Sequence, residues 1–432
     1  MNSKLHRLLS NPSPYISGQI NRFLGRLAVI KFYRRFLLPY LVRRTRRKNR
    51  INVVFLAMNL DMWRYDGVYR KFASDSRFKP IIVTAMRRNM PNMRQQLAEQ
   101  DCMLEFFSKK GYAVVPGLDA QTGKWIDLKT LKADIIFYTQ PYNDVIAKSL
   151  EYYNHLNSLI CYTPYSFQLS ETAWGWDNNL QQYSWKLFYV NGVHMRACKR
   201  LSRIGAENAE EAGYCFEEEY AQSVNDAQMS NMAWCNDNRK RIIWAPHHSI
   251  SKDALFKVSS FLEIADLMVS LREEYKDRIV FAFKPHPMLK TMLSSLWGEE
   301  KANAYYRSWT EAENSFDAQG DYHALFAGSD AMIHCSGSFI VEYLYTGKPV
   351  AYVYSKTRNP PDIGPIGDAA LEAHYPMRSE TDIRRFLDNV VLSGHDPMRE
   401  KRIRVAQKYL KSPNGKMFSE NVYESVVKGL EL

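Results

Sequence analysis

The sequence predicts an α/β protein built from two Rossmann-like domains behind a basic amphipathic helix, on three observations. Its 432 residues exceed the ~100–200 that one domain absorbs, so two folded units with an appendage are expected. Short β-branched apolar runs alternate with helical stretches twice over, once from residue 51 and again from residue 241. Positive charge gathers at the start: residues 1–50 hold thirteen Lys or Arg and no acid, which leaves the other 382 residues at −1 out of a total of +12.

Within this leader, Ile16, Ile20, Phe23, Leu27, Ile30, Leu37 and Leu41 recur at three-, four- or seven-residue intervals, as one face of an amphipathic helix requires. Such a helix, followed by Arg43, Arg44, Arg46, Arg47 and Lys48, has the chemistry to lie in an anionic lipid surface, each basic residue contributing ~1 kcal/mol. The same pattern also suits a helix that packs its apolar face on the body. A nucleic-acid arm is disfavoured, because the neutral body does not extend the basic track.

The first domain, residues 51–225, opens with the strand INVVFLAMNL, followed by a helix near 65–73 and the strand 79–86, a βαβ unit. Further strands are expected at 113–115, 134–138 and 159–162, with helices at 91–109 and 142–154. The aromatic stretch Trp174–Trp185 suits either an acceptor groove or packing. The linker falls within 213–239. The second domain, residues 240–395, starts with RIIWAPHHS and continues through helix 255–274, strand 279–284, helix 323–328, strand 331–334, helix 339–345 and strand 349–354. Helices at 380–392 and 398–410 follow, residues 396–432 closing the structure.

Composition bounds the rest. With 46% hydrophobic and 13% aromatic residues the chain can fill two cores. Six cysteines without CxxC spacing fit a reducing compartment and no disulfide framework. No run approaches the ~18 apolar residues of a membrane span, and the start lacks a signal-peptide pattern.

In open parallel sheets ligands bind beyond the carboxyl ends of the strands, and three polar places sit there. After the strand Ile242–Trp244 comes Ala245-Pro246-His247-His248-Ser249. Adjacent histidines cannot both enter one core, so one faces the cleft unless it caps a helix or sits in solvent. Spacing gives neither a metal site, since no His or carboxylate stands at i+4. After the second strand, Lys284-Pro285-His286-Pro287 presents an imidazole on a proline-stiffened loop, suited to binding phosphate or protonating a leaving oxygen. After the strand Ala331–Ile333, His334-Cys335-Ser336-Gly337-Ser338 opens a helix, a turn whose amides and hydroxyls suit an anion, with Glu342 one turn in to hold a ribose hydroxyl or favour the helix start. The alternatives are a stiff turn and an ordinary Ser-capped helix. Thr346-Gly347-Lys348-Pro349 is not a P-loop, and no GxGxxG or GxSxG occurs.

Trp244-Ala245-Pro246, His286-Pro287 and SDAMIHCSGSFIVEYLYTGKPVAYVY at 329–354 resemble the CDP-glycerol glycerophosphotransferases of teichoic acid and capsule synthesis. The likeness covers 241–354 well and touches the first half only at 55–83. It implies a GT-B fold of two facing Rossmann-like domains, acceptor first and donor nucleotide second. It implies transfer of a polyol phosphate from a CDP-activated donor to a lipid-linked or glycan hydroxyl, with CMP leaving, at the cytoplasmic face of a bacterial inner membrane. No cofactor or metal is expected. His247 or His248 is the expected base, Lys284, His286, His334 and Ser336–Ser338 the expected diphosphate site, and Glu342 the ribose ligand. Two departures stand out. Cys335-Ser336-Gly337-Ser338 replaces an Asp-Tyr-Ser-Ser run, and His247 and Ser249 stand where the family has Thr and Arg. A sugar-transferring GT-B enzyme and a noncatalytic membrane-surface binder are the rival classes.

Overall fold

Two all-parallel sheets carry the chain. The computed structural model describes residues 27–432 apart from 89, 91, 143–144, 226–233, 235–236, 252–257, 319–321 and 358–362. The first sheet contains β1 (Ile51–Ala57), β2 (Phe78–Thr84), β3 (Val114–Val115), β4 (Ile135–Tyr138), β5 (Leu159–Tyr162), β6 (Lys186–Tyr189) and β7 (Ala209–Glu211), in the order β3-β2-β1-β4-β5-β6-β7. The second contains β8 (Lys240–Ala245), β9 (Ile279–Phe283), β10 (Ser315–Asp317), β11 (Ala331–His334), β12 (Val350–Val353) and β13 (Tyr375–Met377), in the order β10-β9-β8-β11-β12-β13. Strand order in each reverses beside the first strand, which makes that point the crevice.

β1 shows why an apolar run becomes a central strand. Val53, Phe55 and Ala57 enter one buried cluster, while Val54 and Leu56 enter another on the opposite face. β8 divides likewise: Ile242 and Trp244 face the outer core of their own half. Ile243 and Ala245 join the same cluster as Phe55, so apolar packing runs continuously from one half into the other. The helix Phe418–Leu430 also returns to the first half, with Ser419 Oγ donating to Glu218 (2.9 Å) and Val422 and Val426 fully buried.

Several expectations are corrected. The described residues of 142–154 form no α-helix but two 3₁₀ turns, Lys148–Leu150 and Tyr152–His155, because Ala147 and Glu151 are extended. Side chains claim the carbonyls a helix would use: Tyr138 Oη donates to Leu150 O (2.9 Å) and Asn154 Nδ2 to Lys148 O (2.6 Å). The helix expected at 255–274 is helical over Phe261–Glu274. Val258 and Ser259 instead donate their amides to Ser249 Oγ (3.3 and 3.2 Å), and 252–257 lie outside the described residues. The helix at 91–109 spans Met93–Lys109, where the Asn92 side chain caps the Gln95 amide at 3.0 Å. Trp176 and Trp185 are buried, so they pack rather than line a groove; the Trp174 side chain is not among those described.

In the leader, Ile16, Ile20 and Phe23 lie outside the described residues, and residues 27–46 are helical. Ile30, Tyr33, Leu38 and Leu41 are buried against the body. The face carrying Ile30, Leu37 and Leu41 therefore packs on the protein. Arg44 donates to Asn157 O (2.5 Å), Arg46 pairs with Glu431, and Lys48 pairs with Asp134 (2.5 Å), whereas Arg43 and Arg47 are exposed. No helix among the described residues is long and apolar enough to cross a membrane.

Candidate active site

The three strand ends singled out in the sequence meet in one surface. β8 lies between β9 and β11, and backbone bonds continue past the strands: the Lys284 amide donates to Trp244 O (2.8 Å) and the His286 amide to Pro246 O (3.0 Å). The His247 amide faces Cys335 Sγ at 3.5 Å, fastening the third loop to the first. Ser259 Oγ donates to His247 O (2.7 Å), so the residues before helix 261–274 brace the same loop.

This stitching gathers three imidazoles. Ring centroids of His247 and His248 are 4.3 Å apart, those of His248 and His286 3.9 Å, and those of His247 and His286 5.0 Å. Their nitrogens are not equivalent. His247 Nδ1 accepts the Ser249 amide (3.2 Å), and His286 Nδ1 accepts the Met288 amide (3.1 Å). A nitrogen that accepts an N–H carries no proton of its own, so both rings hold their proton on Nε2. His247 and His286 are thus set as Nε2–H donors. His248 Nδ1 is buried without a hydrogen-bond partner, so no protein group fixes the tautomer of this ring.

Electrostatics keep all three neutral. Burial lowers each, His247 to well below the ordinary histidine value. His286 falls to about 3 through burial, then His248, Lys284 and Arg87. Arg87 follows β2 in the first half, so that half brings its own cation to bear on the cluster. Sequence reasoning missed it. The strand-end rule applied to the first sheet would have found Arg87, as it would Arg64, which follows β1.

Arg64 is buried at the junction of the halves, donating to Tyr165 O (2.9 Å), Trp63 O (2.9 Å) and Tyr322 Oη (3.2 Å). Glu342 belongs to this junction and not to the open cleft. It is 1% exposed, accepts from Tyr214 Oη at 2.5 Å, and its other oxygen is buried without a partner. Burial raises its pKa, opposed by Arg64 and Tyr214. The expected ribose contact is therefore corrected to an interdomain strut.

His334 is corrected as well. It is 0% exposed, because it still belongs to β11, and its Nδ1 accepts the Ser336 amide at 3.2 Å. It shapes the turn instead of touching a ligand, and that amide is no longer open to an anion. Ser336 and Gly337 are buried, and half-buried Ser338 is the part of the turn left to approach a phosphate. The following α-helix covers only Phe339–Glu342 before a 3₁₀ turn, so its dipole is weaker than expected.

Histidines 247, 248 and 286 have ligand atoms within 4.8 Å of one another and could hold a metal ion, a possibility that linear spacing hides. For His247 and His286 to ligate through Nε2, that nitrogen would have to lose its proton.

The sequence model of the family described as CDP-Glycerol:Poly(glycerophosphate) glycerophosphotransferase matches residues 169–428. No curated protein matches the chain. Among solved structures it is similar to the wall teichoic acid polymerase TagF, at 13% identity and TM-score 0.57, covering 95% of this chain and 98% of that one. It is similar to the UDP-GlcNAc 2-epimerase from Neisseria meningitidis bound to UDP-GlcNAc, at 13% identity and TM-score 0.59, covering 88% of this chain and 100% of that one. It also resembles the S. aureus MnaA structure with UDP, at 11% identity and TM-score 0.55, covering 88% and 97%. At these identities the structures show the fold, which is GT-B.

Proposed function

The chain belongs to the CDP-Glycerol:Poly(glycerophosphate) glycerophosphotransferase family and is a glycerophosphotransferase-like enzyme, and on that premise we propose which groups do its chemistry. The enzyme transfers glycerol phosphate, or a related polyol phosphate, from a CDP-activated donor to a hydroxyl of a lipid-linked or cell-surface glycan acceptor, releasing CMP. The observation that carries this reading is the packing of His247, His248 and His286 within 5.0 Å at the switch point of the second sheet.

The donor diphosphate lies over this cluster. His247 and His286 donate Nε2–H to it, Lys284 and Arg87 supply charge, and Ser338 closes the third side. His248 accepts the proton of the acceptor hydroxyl as its oxygen attacks the polyol-bearing phosphorus. The bond from that phosphorus to the bridging oxygen breaks, and CMP departs with the electron pair while the new phosphodiester forms. No metal takes part in this account. The basic leader supports an acceptor at the cytoplasmic face of a bacterial inner membrane, with the enzyme peripheral. His247 and Ser249, in place of the family's Thr and Arg, support a donor whose polyol differs from glycerol.

Incubation with CDP-glycerol, CDP-ribitol and UDP-sugars, each with and without a membrane extract, tests the reading. Extract-dependent CMP release supports it and ranks the donors. UDP release alone would move the protein to the glycosyltransferases, and nucleotide binding with neither product would make it a binding protein.

A further inference from the structure

The leader helix has a second face that the sequence pattern does not single out. Val29, Phe32, Phe36 and Tyr40 are 56%, 64%, 57% and 53% exposed. Arg43 and Arg47, also exposed, continue the same three- and four-residue spacing, so one outward stripe runs from aromatic to basic. Phe32 and Phe36 pack on each other with centroids 5.1 Å apart, and the Arg35 guanidinium lies 5.8 Å from the Phe36 ring. Lys31 and Arg35 flank the stripe, and residues 27–50 contain no acid.

This face is held outward by what lies behind it. Ile30, Tyr33, Leu38 and Leu41 are buried, and Arg34 reaches the body through Gln182 O (3.3 Å) and Ser184 O (3.1 Å). The helix cannot roll its inner face outward without exposing those groups. Burying Phe or Tyr is favourable by about 1.5–3 kcal/mol, so a stripe of such rings left in water marks a contact surface.

We propose that this outward stripe, and not the inner apolar face, docks the enzyme on an anionic lipid surface, with Phe32, Phe36 and Tyr40 at the headgroup boundary and Arg43 and Arg47 on the phosphates. Charge complementarity favours lipid, since the stripe and its flanks offer cations alone. Area favours it too. The four apolar side chains expose roughly 450 Å², below the ~800 Å² per partner of a stable protein interface, yet enough to seat a helix in the interface when basic residues assist. The proposal deepens the membrane-side reading above, and vesicle binding needs no donor.

Flotation of the full chain with phosphatidylcholine vesicles, with and without about one-third phosphatidylglycerol, tests it. The expected result is binding to the anionic vesicles only, weakened by salt, and reduced at least about tenfold in the Phe32→Ser/Phe36→Ser/Tyr40→Ser variant and in Arg43→Gln/Arg47→Gln. Unchanged urea midpoints show that both remain folded, and Phe36→Ser alone serves if the triple variant does not. Wild-type protein left unbound, or a triple variant that floats like wild type, overturns the proposal. So does a dimer, seen by size exclusion, that the triple variant dissolves without any vesicle binding, which would assign the stripe to a second copy. CMP release on a detergent-solubilised acceptor reads the transfer reaction separately, so loss of one activity does not mimic loss of the other.

Discussion

Acidification should unfold this protein well above the pH at which most carboxylates titrate, and the reason is its buried histidines. His194 is 3% exposed and packed among Phe167, Trp176 and Tyr189, with ring centroids 5.0, 5.5 and 6.1 Å away. His374 is 1% exposed, with Nδ1 on Ala370 O at 2.7 Å. Burial lowers both to about 4. Each is neutral when folded and has an ordinary value near 6.5 when unfolded. Because the folded value is the lower one, the stabilisation is present above about pH 6.5 and is lost as pH falls toward 4. Over pH 7 to 5 each group removes about 2 kcal/mol, so the pair removes about 4 kcal/mol, against a typical total of roughly 5–15. His247 and His334, also lowered, add in the same direction. Urea titrations at pH 7, 6 and 5, followed through the buried Trp176, Trp234, Trp244 and Trp309, measure this. The midpoint should fall steadily, and His374→Asn should roughly halve the fall assigned to the pair. A midpoint that stays constant from pH 7 to 5 would refute the reasoning.

The site makes its own predictions. His248→Asn should lower kcat for CMP release by about 10²–10⁴ with little change in KM, since it removes a base and no donor to the diphosphate. His286→Ala should abolish turnover, and full activity in that variant would remove His286 from the account. Tyr214→Phe should take away the hydroxyl that the buried Glu342 accepts and lower stability by about 1–3 kcal/mol, read as a urea midpoint.

How much was legible in the sequence follows from what each signal depends on. β1 and β8 announce themselves because both faces of a central strand are buried, which makes seven and six residues in a row mostly apolar. β7, β10 and β13 are three residues each and lie at a sheet edge, too short for any period to emerge. The strand-end loops could be found because a parallel sheet fixes where polar residues become accessible. What those residues do there depends on tertiary contacts. Nothing in the order of residues says that the Ser249 and Met288 amides lock two imidazoles, that the charge of Arg87 acts on His286 from the other half, or that His334 and Glu342 are covered. The leader shows the same limit, since three- and four-residue spacing describes both Ile30-Leu37-Leu41 and Phe32-Phe36-Tyr40, and only the fold shows which set faces the body.

The most direct test of the central claim is the identity of the bond made. With CDP-glycerol or CDP-ribitol and a membrane acceptor, phosphorus NMR of the product should show a new phosphodiester formed in step with CMP, one for one, and absent with His286→Ala. A glycosidic product without new phosphodiester, or CMP release that leaves the acceptor unmodified, would contradict it.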